Sequence, residues 1–239
     1  MTLTQSVVID NKALGGTQAE GGGISGTEVA RIDRSTIAHN KAIASNALVS
    51  IASIASGGGL RVPQAAISNS TFSGNTAQAL GVAVGGASGD GLSFDEGSIV
   101  ASTVAGNSAT SGGGVQLGNL AEMGSTIVAG NSAPFVGPDR VTLPGTATLG
   151  RNLVGNGAGY GGVFVHAVAG DKVVTGAAPI AAKLAALAAN GGPTQTRALK
   201  PVSPAIDGAG AKPCSTTTDQ RGVRRPQRAK CDIGAFERS

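Results

Sequence analysis

Short runs of alternating apolar and polar residues, closed at each end by Gly, Asn or Ser, fill the first half of the chain. In Ser35-Thr36-Ile37 the alternation has the period of a strand, sending Ser35 and Ile37 to one face and Thr36 to the other. The phrase around it recurs at residues 6–13 (SVVIDNKA), 35–42 (STIAHNKA), 70–77 (STFSGNTA), 102–109 (STVAGNSA) and 125–133 (STIVAGNSA). Aligned on Asn11, Asn40, Asn75, Asn107 and Asn131, the copies step by 29, 35, 32 and 24 residues. A glycine-rich marker accompanies them at 21–24 (GGGI), 57–60 (GGGL), 89–92 (GDGL) and 112–115 (GGGV), its apolar residue stepping by 36, 32 and 23. Both markers keep the same order and nearly the same steps, so each period is one structural unit and the variable length falls in loops.

A unit of this size, with short strands, turns and no helical periodicity, predicts one coil of a parallel β-helix. Successive coils then lie about 4.8 Å apart, the spacing of neighbouring strands, and equivalent residues touch. Ile37, Phe72, Val104 and Ile127 are expected to form an interior apolar column, and Thr36, Thr71, Thr103 and Thr126 an exterior one. The five asparagines read as a hydrogen-bonded ladder at the turns. Ala13, Ala42, Ala77, Ala109 and Ala133 suit a bend with little room.

Two segments leave this cylinder: 44–56, as a strand extension or short lid, and 78–88, as a small flexible loop. Residues 1–133 are thus expected to form regular coils and 134–177 degenerate final ones, in which His166 is a half-buried strand residue. The rest, 178–239, is a loop-rich C-terminal cap. Within it, 178–189 (APIAAKLAALAA) spaces Ile180, Leu184 and Leu187 at 4 and 3, with Pro179 before and Asn190-Gly191 after. That pattern predicts a short helix lying across the end as a lid.

Composition sharpens the fold class. With 39 Gly the chain would suggest disorder, but 41% apolar residues in register point to an ordered, turn-rich all-β protein. The net charge of +4 is modest. Its cationic excess, Arg221, Arg224, Arg225, Arg228, Lys230 and Arg238, is interleaved with acids and lacks stacking aromatics, which argues against nucleic acid. No apolar run approaches the roughly 20 residues of a membrane helix. Cys214 and Cys231, alone and close together, suit a disulfide in an exported protein. The opening residues enter the first repeat with no leader, as expected of a chain cut from a longer array, and a bare first coil would favour end-to-end self-association.

The tail holds four boxes: 190–194 (NGGPT), 203–207 (SPAID), 219–222 (DQRG) and 232–237 (DIGAFE). Together they resemble the end of bacterial surface proteins of the choice-of-anchor Q group. The resemblance is specific over 190–237 and looser over the glycine and Asn repeats. It implies a right-handed parallel β-helix belonging to an exported or cell-surface protein. Asp207, Asp219, Arg221, Asp232 and Glu237 lie in these boxes and are expected to fix the cap through Arg–carboxylate bonds.

Candidate chemistry is sparse. In-register stacking would set Asp10 above His39, with Lys12 and Lys41 nearby, and a carboxylate beside a histidine is half of an acid/base device. Asp90, Asp95 and Glu96 form an acidic segment suited to Ca²⁺ or to the carboxylate pair of a glycosidase. Ca²⁺ needs six or more oxygens and a glycosidase needs sugar-stacking aromatics, yet the chain has no Trp and a single Tyr, Tyr160. The Gly triplets lack the Lys-Ser/Thr and strand-to-helix context of a phosphate loop. One Thr per coil is too sparse for an ice-binding face. The expected function is a structural or adhesive module facing a polysaccharide or cell-surface partner, with no cofactor unless Ca²⁺. The alternatives are a polysaccharide lyase or glycosidase on one face, or a promiscuous hydrolase at Asp10 and His39.

Overall fold

The computed structural model describes residues 1–46, 52–81, 84–88, 91–110, 113–134, 137–139, 147–157, 170–174 and 178–239. Asp90, Tyr160 and His166 lie outside the described residues, and with them the expected strand position of His166. What is described is all-β and built mainly of parallel sheets, each repeat giving one strand to a sheet.

One sheet joins Val7–Ile9, Thr36–Ala38, Thr71–Ser73, Thr103–Ala105, Ile127–Val128, Leu153–Val154 and Lys172–Val173 in that order. Its inward residues line up as Val8, Ile37, Phe72, Val104, Val128, Val154 and Val173. The larger parallel sheet carries two further columns. Ile24, Leu60, Leu92 and Val115 come from the glycine markers, and Leu3, Ile32, Ile67, Ile99 and Met123 from the strands that follow. These columns meet in one core where Ile37, Phe72, Leu92 and Ile99 are fully buried. Two further layers of this core come from Leu153–Val154 and Lys172–Val173.

The fifth copy departs from expectation. Thr103 pairs with Ile127 and Val104 with Val128, so Val128, not Ile127, fills the interior column. That copy is one residue longer, and the core keeps its register with the asparagine rather than with the Ser-Thr pair: Ile37, Phe72, Val104 and Val128 each stand three residues before their Asn. Thr126 therefore takes the serine position and Ile127 the threonine position.

A single residue of left-handed backbone turns the chain at each end of these strands. Before the serine position it is Gln5, Arg34, Asn69, Ala101 or Ser125, with φ of 44 to 48°; before the asparagine it is Asp10, His39, Gly74, Gly106 or Gly130, with φ of 55 to 75°. Bending this sharply diverts backbone N–H groups from the sheet ladder, and inward side chains receive them. Asn40 accepts from the backbone N–H and side-chain amide of Asn11, both at 3.0 Å, and the pattern repeats through Asn75, Asn107 and Asn131 to end on Asp139 Oδ1. A second ladder runs through Ser35, Ser70, Ser102, Thr126, Asn152 and Asp171.

The described residues outside the core form strand extensions, including 78–81 and 84–88 of the stretch expected to be a loop. Lys12–Gly15, Lys41–Asn46 and Thr76–Gly81 form one small sheet, and Gln18–Glu20, Ser53–Ser56 and Val84–Ser88 another. Ala19, Ala42, Ala44, Ala55, Ala77 and Ala79 cluster between them, their small side chains permitting two thin sheets to pack. At the junction a Cβ on Gly58 would stand 2.5 Å from the Thr76 carbonyl carbon, so only glycine fits.

The C-terminal segment differs most from expectation. Residues 178–189 are not a helix: Leu184–Ala188 pairs antiparallel with Thr196–Leu199, and Lys183 before it has φ of 50°. Nor is the segment confined to the end of the array. It runs along the flank of the seven-stranded sheet and buries the threonine column that alternation placed outside. Thr36, Thr71 and Thr103 are at most 1% exposed, and Ile127, which takes the threonine position in the fifth copy, is fully buried. Thr36 donates to the Gln195 carbonyl at 2.6 Å, Thr71 donates to Gln220 Oε1 at 2.6 Å, and Thr103 accepts the Ala235 N–H at 3.0 Å. Ile127 and Leu153 share a second apolar cluster with Leu199, Ile233 and Phe236 of the segment.

Candidate functional site

The expected stacking of Asp10 and His39 has the right backbone basis, since Val7–Ile9 pairs in register with Thr36–Ala38 and both residues occupy the same turn position. Their side chains do not join. Both are exposed, and no hydrogen bond or ion pair links them. The imidazole lies on the next layer instead, where a Cβ on Gly74 would stand 2.5 Å from its Cδ2. Lys12 and Lys41 face one another across the strand pair and are likewise exposed. Among the described residues no carboxylate orients the His39 ring, so this turn lacks an assembled acid/base pair.

The acidic segment sits at an irregularity in Leu92–Val100, where the pairing partner jumps from Leu117 at Phe94 to Leu120 at Glu96. The backbone N–H groups of Asp95 and Glu96 both donate to the Pro63 carbonyl at 3.0 Å. Asp95 pairs with Arg61 at 3.6 Å, and Glu96 accepts from the Gln64 amide at 2.8 Å. Each carboxylate is thus engaged with its own neighbour. No group of three or more His, Cys, Asp or Glu able to hold a metal occurs among the described residues.

The tail boxes do come together, in a buried charge cluster. Arg221 pairs with Asp219 at 2.7 Å and lies 3.6 Å from the centroid of the Phe236 ring. Arg225 pairs with Glu237 at 2.9 Å, and Glu237 Oε2 also accepts the Asp232 N–H. Asp207 Oδ1 accepts the Lys230 N–H, and Asp232 Oδ1 accepts the Asp207 N–H. Asp219, Arg225, Asp232 and Glu237 are all buried. Burial raises the carboxyls of Asp232 and Glu237 and lowers Arg225, while the pairing opposes each shift. Arg225 also borders a cavity of about 490 Å³ with Arg224 and Lys212, but Arg221 and Arg225 each meet a carboxylate within the network, so its chemistry is that of a clamp. The expected disulfide joins Cys214 to Cys231 in the same segment, and such a bond persists in an oxidising environment.

A fourth place was not anticipated from sequence. Where the antiparallel pair of the tail passes the corner of the seven-stranded sheet, a cavity of about 500 Å³ opens between the Gly106 and Gly130 turns and residues 179–184. Its walls are mostly apolar, with Arg197 and Lys183 as its cations and Asp139 in its floor. Arg197 donates through Nε to Ala185 O at 3.0 Å and through Nη1 to Ala105 O at 3.1 Å and Ser73 Oγ at 3.4 Å. Partial burial lowers its pKa. Asp139 is 2% exposed, and burial raises its carboxyl even though it accepts from Asn131 and from the Asn156 N–H. Its place at the end of the ladder is not legible in the sequence, because it stands only eight residues after Asn131 and is not itself an asparagine.

Among the described residues no helix is long and apolar enough to cross a membrane, which says nothing of spanning by strands. No protein family, curated protein or solved structure matches the chain, so the chemistry of these four places rests on their own geometry.

Proposed function

We propose that the chain is a structural, adhesive module: a right-handed parallel β-helix whose stacked layers present exposed strand extensions and loops to a polysaccharide or cell-surface partner. The observation that carries this is where the polar side chains go. Those able to do chemistry at the repeat turn, Asp10, His39 and Lys41, stand exposed and apart, whereas the buried ones are consumed by two inter-layer ladders and a tail clamp. Such an arrangement serves rigidity.

Register-matched parallel strands from successive repeats support the β-helix, and the tail boxes support kinship with choice-of-anchor Q surface proteins. A disulfide in the same tail supports export from the cell. The competing reading is a polysaccharide lyase or glycosidase working through Asp90, Asp95 and Glu96, or a hydrolase through Asp10 and His39. One experiment separates them: incubation with a panel of polysaccharides and esters, alongside pull-down on insoluble polysaccharide and cell-wall preparations. The adhesive module retains ligand and gives no turnover. Reproducible turnover that falls in Asp95→Ala or His39→Ala rejects it.

A further inference from the structure

We propose that the cavity beside Arg197 binds a small aliphatic carboxylate, its anionic head on the guanidinium and its hydrocarbon body against Ala105, Ala129, Ile180, Ala182 and Leu184. This goes beyond the adhesive reading and does not depend on it.

The first ground is an unbalanced charge. The ion-paired arginines, Arg34, Arg61, Arg221 and Arg225, each meet a carboxylate between 2.7 and 3.6 Å. Arg197 is partly buried and has only neutral acceptors, two backbone carbonyls and the Ser73 hydroxyl, reached through Nε and Nη1. Its Nη2 makes no hydrogen bond or ion pair among the described residues. Of the fourteen acidic residues in the chain, only Asp90 lies outside them. A guanidinium cannot shed its proton to escape desolvation, so its burial is best offset by an anion that takes the remaining N–H groups as a fork.

The second ground is the shape built around it. Gly106 has φ of 75°, and a Cβ there would stand 2.8 Å from Arg197 Nη1, so glycine lets the guanidinium lie against the turn. Lys183 adds a second positive charge at the exposed rim. Asp139 in the floor accepts three N–H donors, which spread its charge into the ladder. About 500 Å³ falls within the usual range for small-molecule sites, and the lining has no aromatic ring to stack on a sugar. Small apolar walls and one convergent cation select an acid with an aliphatic tail, each buried methylene raising affinity about fourfold.

Calorimetric or NMR titration of the full chain with hexanoate, acetate and hexanamide tests this. Hexanoate should saturate a single site at least tenfold more tightly than acetate, which lacks the tail, or hexanamide, which lacks the charge. Arg197→Gln should weaken hexanoate at least tenfold. Lys183→Glu should do the same from an exposed position that leaves packing intact, and it decides the matter if Arg197→Gln fails to fold. N-acetyl-leucinate distinguishes two sources of the same chemistry: binding tighter than hexanoate assigns the site to a peptide C-terminus, weaker binding to a free acid. Absence of saturable hexanoate binding, equal affinity for hexanamide, or unchanged affinity in either variant that folds overturns the proposal.

Discussion

The asparagines differ in what their removal exposes. Asn75 is fully buried; its Oδ1 accepts the Asn40 N–H and amide, and its own amide donates to Ile37 O and to Asn107. Asn75→Ala therefore strands a buried N–H, an amide hydrogen and a carbonyl, at about 1–3 kcal/mol for each unsatisfied group. A loss of roughly 3–5 kcal/mol in urea unfolding is expected from these groups together. Asn11 is exposed and its side chain only donates, so Asn11→Ala should cost under about 1 kcal/mol. Equal losses for the two would show that the ladder does not carry the stability assigned to it. Asp139 closes the ladder without a cation, and burial raises its carboxyl. A raised folded-state pKa gives stability that is fully present below the ordinary carboxylate value and is lost as pH rises through the raised one. The stability gap between the native chain and Asp139→Asn should thus narrow as pH rises across that interval; parallel pH profiles for the two proteins would refute the assignment.

At the scale of elements, the core strands and ladders were legible because each follows from a local pattern repeated at a fixed position, whereas the thin alanine sheets were not, since 78–88 reads as a loop and pairs only through distant repeats. The shift in the fifth copy was legible too, had the copies been counted back from Asn131 instead of forward from Ser125. Residues 178–189 were not: the 4 and 3 spacing of Ile180, Leu184 and Leu187 fits a helix, and Ala favours one. Long-range pairing overrides both, since Thr196–Leu199 offers a strand partner and Ile180, Ala182 and Leu184 find apolar neighbours on the flank. The clusters beside Arg197 and Asp139 were hidden for the same reason, being made where distant segments meet. The disulfide closes a separation of 17 residues within this flank segment, for which loop entropy gives about 3 kcal/mol. Reduction should accelerate hydrogen exchange at the neighbouring Ala209 and Cys231 amides while Asn75 and Asn107 keep their protection. Uniform acceleration throughout would mean that the segment and the sheets unfold as one.

For the molecule as a whole, the decisive relation is that one C-terminal segment spans many layers. It touches Arg34 and Thr36 in the second repeat, Asn69 and Thr71 in the third, Thr103 and Ala105 in the fourth, and Ser125 and Ile127 beyond. Thr36 and Thr103 lie two layers, about 10 Å, apart, yet both are shut off from water by this single element. A cover of this kind opens as a unit. An end cap would protect only the last layer. The native cysteines are joined to each other, so a cysteine placed at 36 or 103 is the only free thiol in its variant. In the full chain at low denaturant, Thr36→Cys and Thr103→Cys should react with a thiol reagent at closely similar rates set by detachment of the segment. Ile37→Cys, one residue away but facing the core, should stay protected until global unfolding. Constant reactivity at position 36 with protection at 103 would instead place the segment over the far end alone. The same labelling rate sets an upper bound on how long the Arg197 cavity stays closed, because Arg197 belongs to the element that detaches while its acceptors Ser73 and Ala105 stay with the sheet.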